Sequence, residues 1–187
     1  MDKVVKLKPI VKSYIWGGSY FQPYLGLNDE KISELWELSV RDGNSSIIVS
    51  GEDKNRPLSE VISEEDWGPI KDRFSYFPLL IKLIDAQDNL SVQVHPNDEY
   101  ALKNEHQYGK TEMWHIISSN EGAGIYIGLN NNYSKEEIES SLKDSTILEK
   151  LNFVEVHPGD TFLIKSGTIH AIGKGMLIKF LGCSSEH

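Results

Sequence analysis

Cysteine is almost missing from this chain: Cys183 is the one thiol in 187 residues. An intramolecular disulfide is excluded, and a single thiol suits a reducing compartment. A structural zinc site built from several thiolates is excluded for the same reason. No apolar run approaches the ~20 residues that cross a bilayer, and Met1-Asp2-Lys3-Val4-Val5-Lys6 carries no apolar signal region. Positive charge is in deficit, with 19 Lys and Arg against 28 Asp and Glu and a formal net charge of −9. That balance excludes the broad basic surface of a general nucleic-acid binder. It also offers no global attraction to an anionic ligand, so any such ligand must be met by a local group of cations. Arginine is scarce, being found only at Arg41, Arg56 and Arg73. The expectation is a cytoplasmic protein with no membrane or nucleic-acid partner. Oligomeric state is not legible.

What is present is ordinary for a globular protein: 39% hydrophobic and 25% charged residues, enough for one domain with one sizeable core. No internal repeat or low-complexity segment interrupts it. Short extended segments dominate. Leu35–Val40, Ser46–Val49, Leu79–Asp85, Leu90–His95, Glu112–Ile117, Gly124–Gly128, Asn152–Val156, Asp160–Ile164 and Met176–Leu181 alternate apolar and polar residues or form short apolar runs between turn residues. Three helical patches are predicted at Pro57–Glu65, Asn97–Glu105 and Ser134–Leu142. Asn97 serves as an N-cap for the second, and Ser134 with Glu137 forms a capping box for the third. The pattern predicts an all-β sandwich or barrel with helical insertions.

The side chains that could carry chemistry are scattered along these strands. Gln93 and His95 stand two apart, so on a strand they face one side while Val92 and Val94 face the other. With Glu112 and His170 they offer two nitrogens, a carboxylate and an amide oxygen, a donor set suited to a divalent metal with an open position. Ser91 lies two before Gln93 and shares its side; Lys110 lies two before Glu112 and shares its side. His115 is odd relative to Glu112 and should face away. Lys82 sits inside the apolar run Pro78–Ile84, where an ammonium is costly without a partner. Trp16, between Ile15 and two glycines, can form an aromatic wall. His157 belongs to a Pro-Gly-Asp turn and is left out of the set.

The segments Ile15-Trp16-Gly17-Gly18, Glu34-Leu35-Trp36, Phe77-Pro78-Leu79-Leu80-Ile81-Lys82, Ser91-Val92-Gln93-Val94-His95-Pro96, Gly109-Lys110-Thr111-Glu112 and Gly167-Thr168-Ile169-His170-Ala171 occur in an order that resembles the type I mannose-6-phosphate isomerases. The resemblance runs to about Lys179 and does not extend to the tail. It implies a cupin-like jelly-roll sandwich over residues 1–187, the single catalytic domain at the N-terminal part of a longer family chain whose second cupin-like domain is absent here. It implies one zinc ion per chain, held by Gln93, His95, Glu112 and His170. It places Trp16, Ser91 and Lys110 in the pocket for a small sugar phosphate, with Lys82 a further pocket residue and Lys110 a catalytic one. The implied reaction interconverts mannose 6-phosphate and fructose 6-phosphate by proton transfer through an enediol. The alternatives are a metal- or sugar-binding cupin without turnover and an iron cupin of different chemistry, against which Gln93 speaks. One local departure stands out. The second cupin motif has proline two residues before the glycine that corresponds to Gly167, where this chain has Lys165.

Overall fold

The computed structural model describes residues 4–28 and 30–183, so the readings of Met1–Lys3 and of the tail Ser184–His187 fall outside them. The described strands are β1 (Leu7–Lys8), β2 (Ile10–Lys12), β3 (Glu34–Leu38), β4 (Val40–Arg41), β5 (Asn44–Ser45), β6 (Ile47–Ile48), β7 (Leu79–Ala86), β8 (Glu112–Ser119), β9 (Gly124–Leu129), β10 (Leu151–Glu155), β11 (Thr161–Ile164), β12 (His170–Ile172) and β13 (Met176–Cys183). Helices α1 (Gln22–Leu25), α2 (Asp98–Asn104) and α3 (Lys135–Lys143) lie between them. Six strands form the main sheet in the order β11-β8-β13-β7-β3-β2, and three form the second in the order β10-β9-β12. Every pairing within them is antiparallel. This is the expected cupin-like β-sandwich with helical insertions. Among the described residues no helix is long and apolar enough to cross a membrane.

The core follows from the strand period of two. Leu80 and Ile84 of β7, Trp114 and Ile116 of β8, and Ile178 and Phe180 of β13 are buried together with Ile125 of β9 and Ile172 of β12. Opposed inner faces of two sheets are thereby closed into one core, and each fully buried side chain of this size contributes roughly 1.5–3 kcal/mol. On the outer face, Leu35 and Leu177 pack with Phe21 and Ile32, beneath α1.

Two helix signals hold in atomic detail. The Asn97 side chain accepts from Tyr100 N at 2.9 Å, and the Ser134 and Glu137 side chains cap each other's backbone N–H groups at 3.2 and 2.8 Å. Two expectations need correction. Pro57–Glu65 is not one helix but two 3-10 segments, Leu58–Glu60 and Glu64–Asp72, and Pro57 is the extended residue before the first of them. Leu90–His95 is not a continuous strand. It meets β12 at one full pair, with Gln93 N donating to His170 O and His170 N to Gln93 O, both at 2.8 Å. An unbroken antiparallel ladder would next use Ser91 N for Ile172 O. Leu90 N makes that bond instead, at 2.9 Å, so one extra residue is accommodated and the ladder breaks in the manner of a bulge. β12 itself is a three-residue strand that sequence periodicity does not announce.

Candidate functional site

The floor of the site is one row of the main sheet. Trp36 of β3, Lys82 of β7, Phe180 of β13 and Trp114 of β8 are successive cross-strand partners, so their side chains share the inner face. Glu34 and Glu112 stand two residues before the two tryptophans and on the same face. The second sheet supplies the opposite wall through β12, whose first residue is His170. A cavity of about 200 Å³ opens between them, and it is lined by Trp16, Ser91, Gln93, Lys82, Lys110 and Glu34, among others.

His95, Glu112 and His170 meet at this cavity. Their ligand atoms all lie within 4.8 Å of one another. Two loops bring them together. Gly167 adopts φ +81° in the turn before β12, its N–H donating to His95 O at 2.7 Å, and Thr168 N donating to Lys165 O at 3.2 Å. The turn therefore closes with lysine in the place of proline. Gly109 permits a close approach on the other side. A Cβ there would stand 2.5 Å from the Asn97 carbonyl carbon and 2.6 Å from Asp98 N and Pro96 O. Only glycine lets the segment carrying Lys110 pass the start of α2.

The donor chemistry fits a divalent metal. His170 is 3% exposed, and its Nδ1 sits 2.8 Å from Thr168 O. A carbonyl oxygen can only accept, so Nδ1 carries the hydrogen and Nε2 presents a lone pair. That Nε2 is buried without a hydrogen-bond partner and lies 3.8 Å from Glu112 Oε2. His95 Nε2 lies 2.8 Å from Glu112 Oε1, yet it too makes no aligned hydrogen bond. Buried polar atoms left this way are expensive, and three lone-pair donors turned to one point are what an ion would satisfy. An anchored Nδ1–H is the usual support for a metal-bound Nε2. The structure also places Gln93 beside the triad, its Nε2 donating to Ser91 Oγ at 3.1 Å, which leaves the amide oxygen as an acceptor.

The electrostatics are those of a packed charge cluster. Burial alone would push the Glu112 carboxyl up. The His95 ring at Oε1 and the Lys110 ammonium, 2.7 Å from the same oxygen, outweigh it and hold the carboxyl at about 2. Trp114 Nε1 donates to the other oxygen at 2.9 Å. Burial pulls the Lys110 ammonium below the usual lysine range, against the attraction of Glu112. Burial likewise lowers His170, a shift towards the neutral ring that a metal ligand requires.

The sequence set is thus brought together: Trp16, Ser91, Lys82 and Lys110 line one cavity with Gln93, Glu112 and His170. His95 reaches Glu112 from the far side. His115 faces the outer surface against Thr161 Oγ1, 2.8 Å away, and His157 sits in its turn, 3.9 Å from Asp160. The residue that sequence reasoning passed over is Glu34. Its Oε1 accepts from Lys82 Nζ at 2.8 Å and its Oε2 from Trp36 Nε1 at 2.6 Å. The signal was there as a repeated Glu-x-Trp, Glu34-Leu35-Trp36 and Glu112-Met113-Trp114, each strand presenting its carboxylate to a lysine and its own tryptophan.

Known proteins resemble the chain in sequence and in fold. Residues 4–114 match the model of the phosphomannose isomerase type I catalytic domain. The chain is 42% identical over 168 residues to a mannose-6-phosphate isomerase of Streptococcus mutans, covering 88% of this chain and 52% of that one. It spans 52% to 55% of the length of the curated relatives it matches. The crystal structure of the Bacillus subtilis mannose 6-phosphate isomerase superposes with a TM-score of 0.84 at 33% identity, over 97% of this chain and 59% of that one. A mannose 6-phosphate isomerase bound with zinc and yttrium shares the fold at a TM-score of 0.67 and 18% identity, over 98% of this chain and 71% of that one. The chain belongs to the type I phosphomannose isomerase family.

Proposed function

We propose that this chain carries the metal-dependent active site of an aldose–ketose isomerase acting on mannose 6-phosphate and fructose 6-phosphate. The observation that carries the reading is the His95–Glu112–His170 triad at one end of a cavity that also holds two lysines. Gln93 completes a four-residue set around one ion. Zinc suits two imidazoles and a carboxylate with an open position, and a protein of the same fold is bound with zinc. When bound, the ion supplies Lewis-acid stabilisation of charge developing on the sugar oxygens.

The chain's own residues do the rest. Trp16 and Ser91 wall the cavity and orient the sugar. Lys110, two residues before Glu112 and with its pKa lowered by burial, is placed to give and retake a proton at a sugar oxygen as the enediol forms. Lys82 presents a second ammonium, fixed by Glu34. The rings of Trp16 and Phe180 both line the cavity and limit water around the reacting carbons. A small sugar phosphate is its partner in this reading, and the single cysteine suits the reducing cytoplasm.

The test is a coupled assay of fructose 6-phosphate formed from mannose 6-phosphate by the zinc-loaded chain, beside His170→Ala. Turnover that His170→Ala abolishes is the expected result. No turnover, combined with no mannose 6-phosphate binding by the loaded protein, would overturn the reading.

A further inference from the structure

Between Trp16 and Phe21 the chain crosses from one face of the main sheet to the other. Trp16 lines the pocket and packs against the main core. Phe21 is 2% exposed in the outer cluster with Leu35 and Leu177. The crossing is made at the end of the β3–β7 pair. Gly18 N donates to Ile32 O at 3.2 Å and Ile32 N to Gly18 O at 2.9 Å, which sets the segment beside the residues that lead into β3. Two glycines let it pass. A Cβ on Gly17 would stand 2.6 Å from Ser33 Oγ and 2.7 Å from Ser33 N. One on Gly18 would run into the Asp85 carboxylate and stand 2.6 Å from Gln87 Cγ.

Asp85 is the group that meets this segment from the sheet. It stands on β7 at odd spacing from Lys82, so it faces away from the pocket, and it pairs across the ladder with Leu177 of the outer cluster. It is 2% exposed, and a carboxylate so buried is costly unless donors meet its oxygens. Both are met. Tyr20 N donates to Oδ2 at 3.0 Å and Gln87 Nε2 to Oδ1 at 2.6 Å. Backbone bonds tie the same pieces: Gln87 N donates to Trp16 O at 3.0 Å and Asp85 N to Ser33 O at 2.9 Å. Ser33 Oγ in turn accepts from Tyr14 N and donates to Tyr14 O, and the Tyr14 ring stacks on Trp16 with centroids 5.5 Å apart. The chain is thus held on both sides of Trp16, at Tyr14 and at Tyr20. The hold at Tyr20 comes from a carboxylate on the opposite face of the sheet.

We infer that Asp85 is a positioning residue of the pocket. From the outer face it holds the Tyr20 backbone and the Gln87 side chain, and through them it sets the place of the Trp16 ring against the sugar. The inference rests on the proposed function for the ligand, though not for the placement of Trp16. Asparagine can replace Asp85: its carbonyl oxygen accepts from Tyr20 N, and its NH2 group donates to the Gln87 side-chain oxygen once that amide turns over. Alanine can do neither. It leaves the Tyr20 N–H without its acceptor and the segment free to shift.

Fluorine NMR of protein carrying 5-fluorotryptophan at its four tryptophans tests the placement, with Trp16 assigned through Trp16→Phe. Asp85→Ala should shift or broaden the Trp16 resonance and leave in place that of Trp67, in the Glu64–Asp72 segment. Asp85→Asn should leave both as in the wild type. Calorimetric titration of the zinc-loaded protein with mannose 6-phosphate should show binding weakened roughly fivefold or more in Asp85→Ala, since a wall moved out of place spoils the orientation of the sugar. Asp85→Asn should restore it, with zinc content unchanged in both. An unmoved Trp16 resonance in folded Asp85→Ala overturns the inference. So does an Asp85→Asn resonance that moves as far as that of Asp85→Ala, since hydrogen bonds would then not place the segment. A moved resonance with mannose 6-phosphate affinity unchanged overturns it as well. Should Asp85→Ala fail to fold, Gly18→Ala, which drives a methyl group between the carboxylate and the segment, decides by the same two readouts. A wild type that binds zinc but no mannose 6-phosphate overturns the proposed function, and the Trp16 resonance then decides by itself whether Asp85 places the ring.

Discussion

Separating Glu34 from Lys82 gives the sharpest test of how this pocket is held. The two side chains are 7% and 16% exposed and meet at 2.8 Å. Glu34→Gln keeps an acceptor for Trp36 but leaves the Lys82 ammonium without its counter-charge. Lys82→Met keeps the stem but takes the ammonium away from Glu34, leaving the carboxylate the Trp36 indole N–H as its hydrogen-bond donor. Breaking a buried pair from one side costs about 3–5 kcal/mol. Lys82 faces a cavity that water can enter, so the lower end, about 3 kcal/mol, is expected for each single change. In a domain of this size that lowers the melting temperature by roughly 6–12 °C. The double variant removes both charges together, so it should recover at least about 2 kcal/mol relative to the sum of the singles. Urea denaturation of the four proteins in excess chelator measures the cycle without metal linkage. Singles that each cost under about 1 kcal/mol, with a double equal to their sum, would show that the pair behaves as a surface pair and that the burial argument is wrong.

Other outcomes follow from the same geometry. Zinc at a hundredfold excess over its Kd should stabilise the folded chain by about 2.7 kcal/mol. A thermal melt should lose that shift in His95→Ala/His170→Ala, and an undiminished shift there would remove the triad as the site. In metal-free protein the Glu112 carboxyl is held at about 2 against an ordinary 4.5. Its folded pKa is depressed, so its contribution of roughly 3 kcal/mol is fully present above pH 4.5 and fades as pH falls towards 2. Acid unfolding of Glu112→Gln should show a flatter stability profile across that window. Gly109→Ala brings a Cβ within 2.5–2.6 Å of the Pro96–Asp98 backbone. Backbone cannot swing aside as a side chain can, so urea denaturation should report a loss of about 1–3 kcal/mol.

The candidate metal-ligating side chains were legible through the resemblance of their flanking segments, and the strand period of two assigns their faces without any coordinates. Gln93 with Ser91, and Glu112 against His115, came out on the sides that period requires. The turn before His170 was legible through Gly167, whose positive φ few other residues tolerate. The break in Leu90–His95 was not legible, because a bulge is fixed by the partner strand. β12 lies some 80 residues away and is itself only His170–Ile172. The 3-10 breaks after Pro57 were missed for a related reason: Gly68 and Pro69 interrupt the second segment, and local composition there still resembles a helix start.

Glu34 shows where single-residue reading runs short. Taken alone, a carboxylate beside a tryptophan on a strand is a solvated or cross-strand residue. Its meaning appears once the register is known. β3 and β8 run in opposite directions, with β7 and β13 between them. Trp36 and Trp114 fall in one row, and their glutamates fall on opposite sides of it. The two Glu-x-Trp strands are therefore related by an approximate two-fold through the sheet, with Lys82 and Phe180 at the centre. One local design, an indole N–H clamping a carboxylate that faces an ammonium, occurs twice with different neighbours. At β8 the neighbours are His95 and His170, and the carboxylate becomes part of a candidate metal-ligand set. At β3 the neighbours are Lys82 and, across the strand pair, Lys12, with no imidazole, and the carboxylate holds an ammonium instead. The identity of the surrounding side chains, rather than the motif, decides whether the carboxylate joins a candidate metal-ligand set or holds an ammonium alone.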